Sequence, residues 1–169
     1  MINNKKPVYL FLLAVALTVA CTKQHGLGAN YTAYNPGANP IVVTNATDYR
    51  PDPTVTTSIT GDSTITITLT LNSSVGRSMK EATHVIGSSS YAAIQNSASK
   101  FYNSVPIAAT NNSVTFTTSI GEYFQKYPPR PAKLSSLVNL ELTNRFYFQI
   151  TLDDGSVVYP TPVRVLVLQ

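Results

Sequence analysis

The stretch STITITLTLNSS, residues 63–74, alternates hydroxyl and apolar side chains for eight residues without a break. Successive side chains of an extended chain point to opposite sides. Ile65, Ile67, Leu69 and Leu71 therefore share one face, and Thr64, Thr66, Thr68 and Thr70 share the other. β-branched residues are stiff at χ1 and pack well on a pleated surface. The run reads as a half-buried strand, with four apolar side chains in a core and four threonines facing solvent or a neighbour.

Further strands follow, separated by turn signals. EATHVIG (residues 81–87) is a second strand, and SVPIAA (residues 104–109) a weaker one that Pro106 pushes towards an edge. NNSVTFTTSI opens on an Asn-Asn turn and sets Val114 and Phe116 against Thr115 and Thr117. RFYFQITLDDGSVVYPTPVRVLVLQ puts Phe146, Phe148, Ile150 and Leu152 on one face. Asp153 to Ser156 form a hairpin turn, because Asp-Gly tolerates positive φ. Val163, Val165 and Val167 alternate on the return, and Pro160 and Pro162 confine its start to an edge or a bulge. AKLSSLVNLELTNR sets Leu134, Leu137, Val138 and Glu141 at helical spacing after Pro128, Pro129 and Pro131, which predicts a short crossover helix; a strand over residues 137–142 is the alternative. About seven short strands in roughly 112 residues fit an all-β, immunoglobulin-like or fibronectin type III-like β-sandwich, with an antiparallel barrel as the other solution. The Cys–Trp–Cys core of antibody domains is missing, since the chain has one cysteine and no tryptophan.

That cysteine is Cys21, at the end of FLLAVALTVAC. Lys5 and Lys6 precede an uncharged run of 13 residues, Val8 to Ala20, too short for the roughly 20 residues that span a bilayer. A basic start, a short apolar stretch and a small residue before the cut mark a secretory signal. The stretch LTVAC resembles a bacterial lipoprotein signal, in which the cysteine becomes the new N-terminus. The resemblance implies acyl chains, palmitate among them, on Cys21, and attachment to membrane lipid. One chain alone binds marginally, whereas two or three anchor stably. The expected organisation is a signal peptide over 1–20, a flexible tether over 21–57 rich in Gly, Asn, Pro and Thr, and the sandwich over 58–169. Within the tether only Ile41, Val42 and Val43 have strand character; if they pair with the sheet, the domain starts near residue 40.

The formal charge of +4 falls to +2 without Lys5 and Lys6, and the remaining charges are scattered. No basic run marks a nucleic-acid surface. His25 sits in the tether; His84 sits in a predicted strand three residues after Glu81, a spacing that places the two on opposite faces. The eight acids form no constellation, and no serine elbow, phosphate loop, dinucleotide fingerprint or calcium loop is present. The expectation is a protein that is not an enzyme and has no metal or cofactor.

The lipoprotein-like signal, polar tether and single sandwich ending in FYFQITLDDGSVVYPTPVRVLV are similar to small cell-envelope lipoproteins of Bacteroidota. That resemblance implies an outer-membrane location with either leaflet open, and a role beside glycan-uptake systems. Tyr91 and Tyr102 flank one long connection, and Tyr123, Phe124 and Tyr127 cluster in GEYFQKYPPRP. Loops of a rigid sandwich commonly carry binding, so these five are the candidate ligand contacts; sealing the core ends is their other reading. The expected function is a non-catalytic binding or accessory module for a glycan or an envelope protein. The alternative is a structural protein that packs against partner β domains through a sheet edge.

Overall fold

The computed structural model describes residues 39–72, 75–96 and 98–169. The signal segment, Cys21, His25 and the tether before Asn39 lie outside the described residues.

The alternating run becomes β3 (Thr64–Leu71) and the Asn-Asn turn delivers β6 (Ser113–Ser119). They pair antiparallel from Thr64↔Ser119 to Thr70↔Ser113 with no register shift. β1 (Ile41–Val43) adds to the other side of β3, giving the order β1-β3-β6. The second layer contains β2 (Thr54–Ser58), β4 (Met79–Ser88), β5 (Ile107–Ala108), β7 (Leu140–Glu141), β8 (Arg145–Leu152), β9 (Val157–Val158) and β10 (Arg164–Leu168). It is hydrogen-bonded as β2-β10-β7 and β5-β4-β8-β9. Reciprocal bonds between Phe146 and Val163, 2.8 and 2.9 Å, join these two parts. The result is an all-β, sandwich-like fold.

Ten strand segments appear among the described residues where about seven were expected over 58–169, because β1 and β2 start before that span and two strand paths are interrupted. β7 and β8 both run along β10, broken at residues 143–144. β9 and β10 are one return path broken by the stretch holding Pro160 and Pro162, as ring-locked residues without a donor require. The turn between β8 and β9 is the expected one: Gly155 has φ +82° and its N–H reaches the Leu152 carbonyl at 3.1 Å.

The core fills the space between the layers. Ile65, Ile67, Leu69, Phe146, Phe148, Ile150, Val163, Val165 and Val167 are all buried, as alternation demanded. Each such side chain contributes about 1.5–3 kcal/mol on burial.

Three expectations are corrected. The domain does not begin at Ser58. β1 and β2 belong to it, with Ile41, Val43 and Val55 in the core. The Pro- and Asn-rich stretch between them is held by specific bonds: Thr54 N–H to the Asp48 carbonyl (2.7 Å), Arg145 to Asp52 (2.5 Å), and Arg164 Nη2 to the Arg50 carbonyl (2.6 Å). The crossover helix is not over residues 132–145. It is α2 (Ile120–Lys126), after the shorter α1 (Ala92–Gln95). Ser119 caps it by accepting the Glu122 N–H at 3.1 Å, the Ser-x-x-Glu spacing of a helix start. The expected helix shrinks to a single 3₁₀ turn, Leu134–Leu137, followed by β7, so only part of the strand alternative is realised. Finally, β4 carries two register shifts, between Met79 and Glu81 and between Ala82 and His84. A bulge inserts one extra residue, so Glu81 and His84 share the outer face instead of opposing each other.

Candidate functional site

The five aromatic candidates occupy two separate places. Tyr102, Tyr123, Phe124 and Tyr127 gather against the main core, while Tyr91 joins a small cluster with Ile86, Ile94 and Tyr147. Tyr91 packs edge-on to Tyr147 and Tyr159, with centroids 6.0 and 5.7 Å apart. That cluster lies under the loop carrying α1, on the outer side of β4 and β8. His84 is in the same area. Its ring stacks on Phe101 at 3.9 Å, and its Nδ1 lies 3.1 Å from Gln149 Oε1.

Tyr123 is only 2% exposed. The capped first turn of α2 turns it inward, where its hydroxyl accepts the Asn144 N–H at 2.8 Å. A face so buried is closed to stacking by a ligand, and this residue is a core element. The Tyr127 hydroxyl accepts the Gly87 N–H at 2.7 Å. The approach depends on glycine, since a Cβ at residue 87 would meet the Tyr127 ring at 2.6 Å. Tyr102 packs among Phe116, Phe146 and Tyr127 with centroids 5.4–5.8 Å apart, and Lys126 Nζ sits 4.9 Å from its ring centre. Its hydroxyl is buried without a hydrogen-bond partner. The nearby Thr118 hydroxyl donates to Glu122 instead, at 2.7 Å. Burial pushes the phenols of Tyr102, Tyr123 and Tyr127 above their ordinary value, since a buried phenolate loses its hydration.

Phe124 is the member of this group that reaches a cleft. A space of about 330 Å³ opens beside it, walled by Pro129, Pro131, Leu137 and Leu142, with Arg130, Glu141 and Thr143 as its polar members. That volume lies at the small end of ligand sites. Glu141 Oε1 is held by Arg164 Nη1 at 2.6 Å, so this carboxylate is fixed in place. Arg130 makes no ion pair among the described residues. The cleft thus offers an apolar wall, an aromatic edge, one oriented carboxylate and one available guanidinium. Sequence reasoning reached Phe124 but missed Arg130, Leu137 and Leu142. The signal was PPRP itself, a rigid extended stretch that presents its arginine beside an aromatic helix.

A second polar group lies at the crossover between β1 and β2. Asp52 is buried and pairs with Arg145; Arg164 bridges Glu141 and the carbonyls of Arg50 and Asp52, and its Nε is buried without a partner. Each charge here is neutralised by a neighbour or a main-chain group. The arrangement fastens the crossover to β8 and β10 and leaves no free nucleophile or base. Among the described residues no three His, Cys, Asp or Glu side chains come together to hold a metal ion. No helix there is long and apolar enough to cross a membrane. Comparison with known protein families, curated proteins and solved structures returns no match.

Proposed function

We propose that this chain is a lipid-anchored, non-catalytic binding module of the cell envelope, and that its ligand site is the cleft beside Phe124. The anchor reading is supported by the lipoprotein-like stretch ending at Cys21. The binding reading rests on one observation: an apolar cleft on a rigid sandwich, with an aromatic side chain, an available Arg130 and a carboxylate held by Arg164. A sugar ring suits such a place. Its C–H face packs on Phe124 and the prolines, and its hydroxyls or a uronic carboxylate bond to Arg130 and Glu141.

The test is native affinity electrophoresis of the purified full chain in gels holding neutral or uronic-acid-containing soluble polysaccharides. Retardation that is lost in Arg130→Ala with unchanged melting, and in Phe124→Ala at a temperature where that variant is still folded, supports the site. Retardation that survives both changes moves the site elsewhere, and no retardation in any gel removes the glycan. Intact mass of the chain recovered from membranes, beside Cys21→Ala, tests the anchor separately. A second reading, a structural protein that packs through a sheet edge, is favoured by a different observation: the outward main-chain groups of Thr115 and Thr117 on β6 have no bonding partner among the described residues.

A further inference from the structure

The sheet β1-β3-β6 has two edges, β1 on one flank of the sandwich and β6 on the other. The β1 flank carries a groove of about 200 Å³, lined by Val42 of β1, by Tyr49, Pro51 and Pro53 of the crossover, and by Asn39. No charged side chain lines it, which distinguishes it from the Phe124 cleft. Val42 and Tyr49 are 46% and 53% exposed, and Pro51 is exposed beside them. The Tyr49 hydroxyl donates to the Val43 carbonyl at 2.5 Å, so its polar end is satisfied and the apolar ring is the part left in the open. The next side chain, Arg50, is 92% exposed, with its Nε 3.3 Å from Asp48 Oδ1. The carboxylates without a cationic partner among the described residues, Asp62, Glu81 and Glu122, belong to the β2–β3 turn, β4 and α2. None of them lines the groove.

An apolar surface with an aromatic ring and a long cation at its margin has the composition of a contact with a lipid surface. Tyrosine rings settle at headgroup level, and arginine extends its charge to the phosphates. The described chain also begins here. Asn39 fixes the start of β1: its Oδ1 accepts the Ile41 N–H at 2.9 Å and its Nδ2 donates to the Tyr159 carbonyl at 3.4 Å. The 17 positions 22–38 join it to Cys21. Even fully extended they reach at most about 60 Å. Acyl chains on Cys21 therefore hold the domain within that distance of the bilayer, and any further contact with the lipid forms as an intramolecular step at high effective concentration.

We infer that the β1 flank rests on the lipid surface that holds Cys21, with Val42 and Tyr49 at headgroup depth, Pro51 beside them and Arg50 among the phosphates. The inference rests on the anchor reading of the proposed function. The apolar patch is small, so it adds to a covalent anchor and does not replace one. What it supplies is orientation: the domain meets the membrane by one flank instead of by any face. The groove shares no residue with the Phe124 cleft, so docking and ligand binding use different surfaces.

The chain has no tryptophan, so a single introduced tryptophan reports on a single place. The test is fluorescence of the full chain, purified from membranes and reconstituted in vesicles of phosphatidylethanolamine and phosphatidylglycerol, with and without brominated lipid, which quenches on contact. Three variants are compared: Val42→Trp, Tyr49→Trp and, on the other flank just before β5, Val105→Trp, at a position 69% exposed. All three positions are exposed, and Val42→Trp keeps the Tyr49 hydroxyl bond. The expected result is quenching several-fold stronger at residues 42 and 49 than at residue 105, with blue-shifted emission at the first two. Should Tyr49→Trp melt lower than the wild type, Val42→Trp against Val105→Trp decides. Intact mass and flotation of the same vesicles report on the anchor. A chain that carries acyl groups and floats, with its tryptophans quenched alike at all positions or not at all, overturns the docking and leaves the anchor standing. A chain without acyl groups that stays behind when the vesicles float overturns both.

Discussion

The two flanks of the sandwich handle the same problem in opposite ways. On the β1 flank side chains close part of the outer edge. Asn39 Oδ1 accepts the Ile41 N–H at 2.9 Å, and the Tyr49 hydroxyl donates to the Val43 carbonyl at 2.5 Å. Where β1 stops, Asn45 takes the place of a strand residue, accepting the Thr68 N–H at 2.9 Å and donating to the Thr66 carbonyl at 2.8 Å. On the β6 flank the strand is longer and more regular, and beyond the Thr110–Ser113 bridge no described residue bonds to its outer edge. Regularity of sequence and closure of structure are therefore separate properties. The irregular, Pro- and Asn-rich segment seals, and the flawless alternation leaves an edge.

The largest expected effect breaks the sealed side. Val55 is 1% exposed between β10 and the core, and Val55→Asp places an unpaired charge there. The loss is about 3 kcal/mol or more, read from the urea midpoint. The matching change on the open side, Thr117→Lys, shifts that midpoint by no more than about 0.5 kcal/mol. Equal losses at the two positions would abolish the distinction. Next comes Asp52→Ala, which strands the Arg145 guanidinium and frees the crossover. Because Arg145 is partly solvated, the expected loss is about 1–2 kcal/mol, shrinking as salt is added.

Much of this arrangement could be read from the chain, and the unread part has a physical pattern. Period-two strands were legible because burial of alternate residues is a local property. β3, β8 and the valines of β10 all lie as expected. The membership of β1 was legible only as an alternative, and that of β2 not at all, because Ile41 and Val55 are recruited by distant partners on β3 and β10 and the loop between them resembles a linker in composition. β4 was harder to read because two bulges reset its alternation, and with it the relation of Glu81 to His84. α2 had a readable signal in Ser119 and Glu122 that lay inside an aromatic stretch taken for a loop. The site followed the same rule. Aromatic content located the end of the sandwich, but only the fold shows that Tyr123 turns inward while Phe124 meets Arg130 across a cleft.

A smaller effect probes how β3 is protected. Asn45→Ala removes both side-chain bonds that extend the β1 edge, in a solvent-exposed place. The expected loss is about 0.5–1.5 kcal/mol, with faster exchange of the Thr68 amide and no change at Leu69, whose N–H faces β6. Faster exchange at both would mean that the edge opens as a unit.

The smallest effect carries the comparison into the core. Tyr127 and Tyr102 are neighbours, yet one hydroxyl holds the Gly87 N–H and the other, beside Phe116 of the open strand, holds nothing. Tyr127→Phe leaves a main-chain donor unpaired and costs about 1–3 kcal/mol, whereas Tyr102→Phe loses no bond and changes neutral-pH stability by less than about 1 kcal/mol, in the stabilising direction. Alkaline titration separates the two further. Burial raises the Tyr102 phenol above its ordinary 10.0, so the folded chain keeps a proton that the unfolded chain releases. That contribution to stability is intact below pH 10 and declines as the pH climbs towards the folded value. Tyr102→Phe removes this decline at one position, leaving the slope due to Tyr123 and Tyr127, whose phenols are also raised. Thermal melts of the variant and wild type should therefore nearly coincide at neutral pH and separate above pH 10, with the variant melting higher. Curves that stay parallel to the alkaline limit would mean that Tyr102 reaches solvent as readily as in the unfolded chain, and that the open flank extends inward past Phe116.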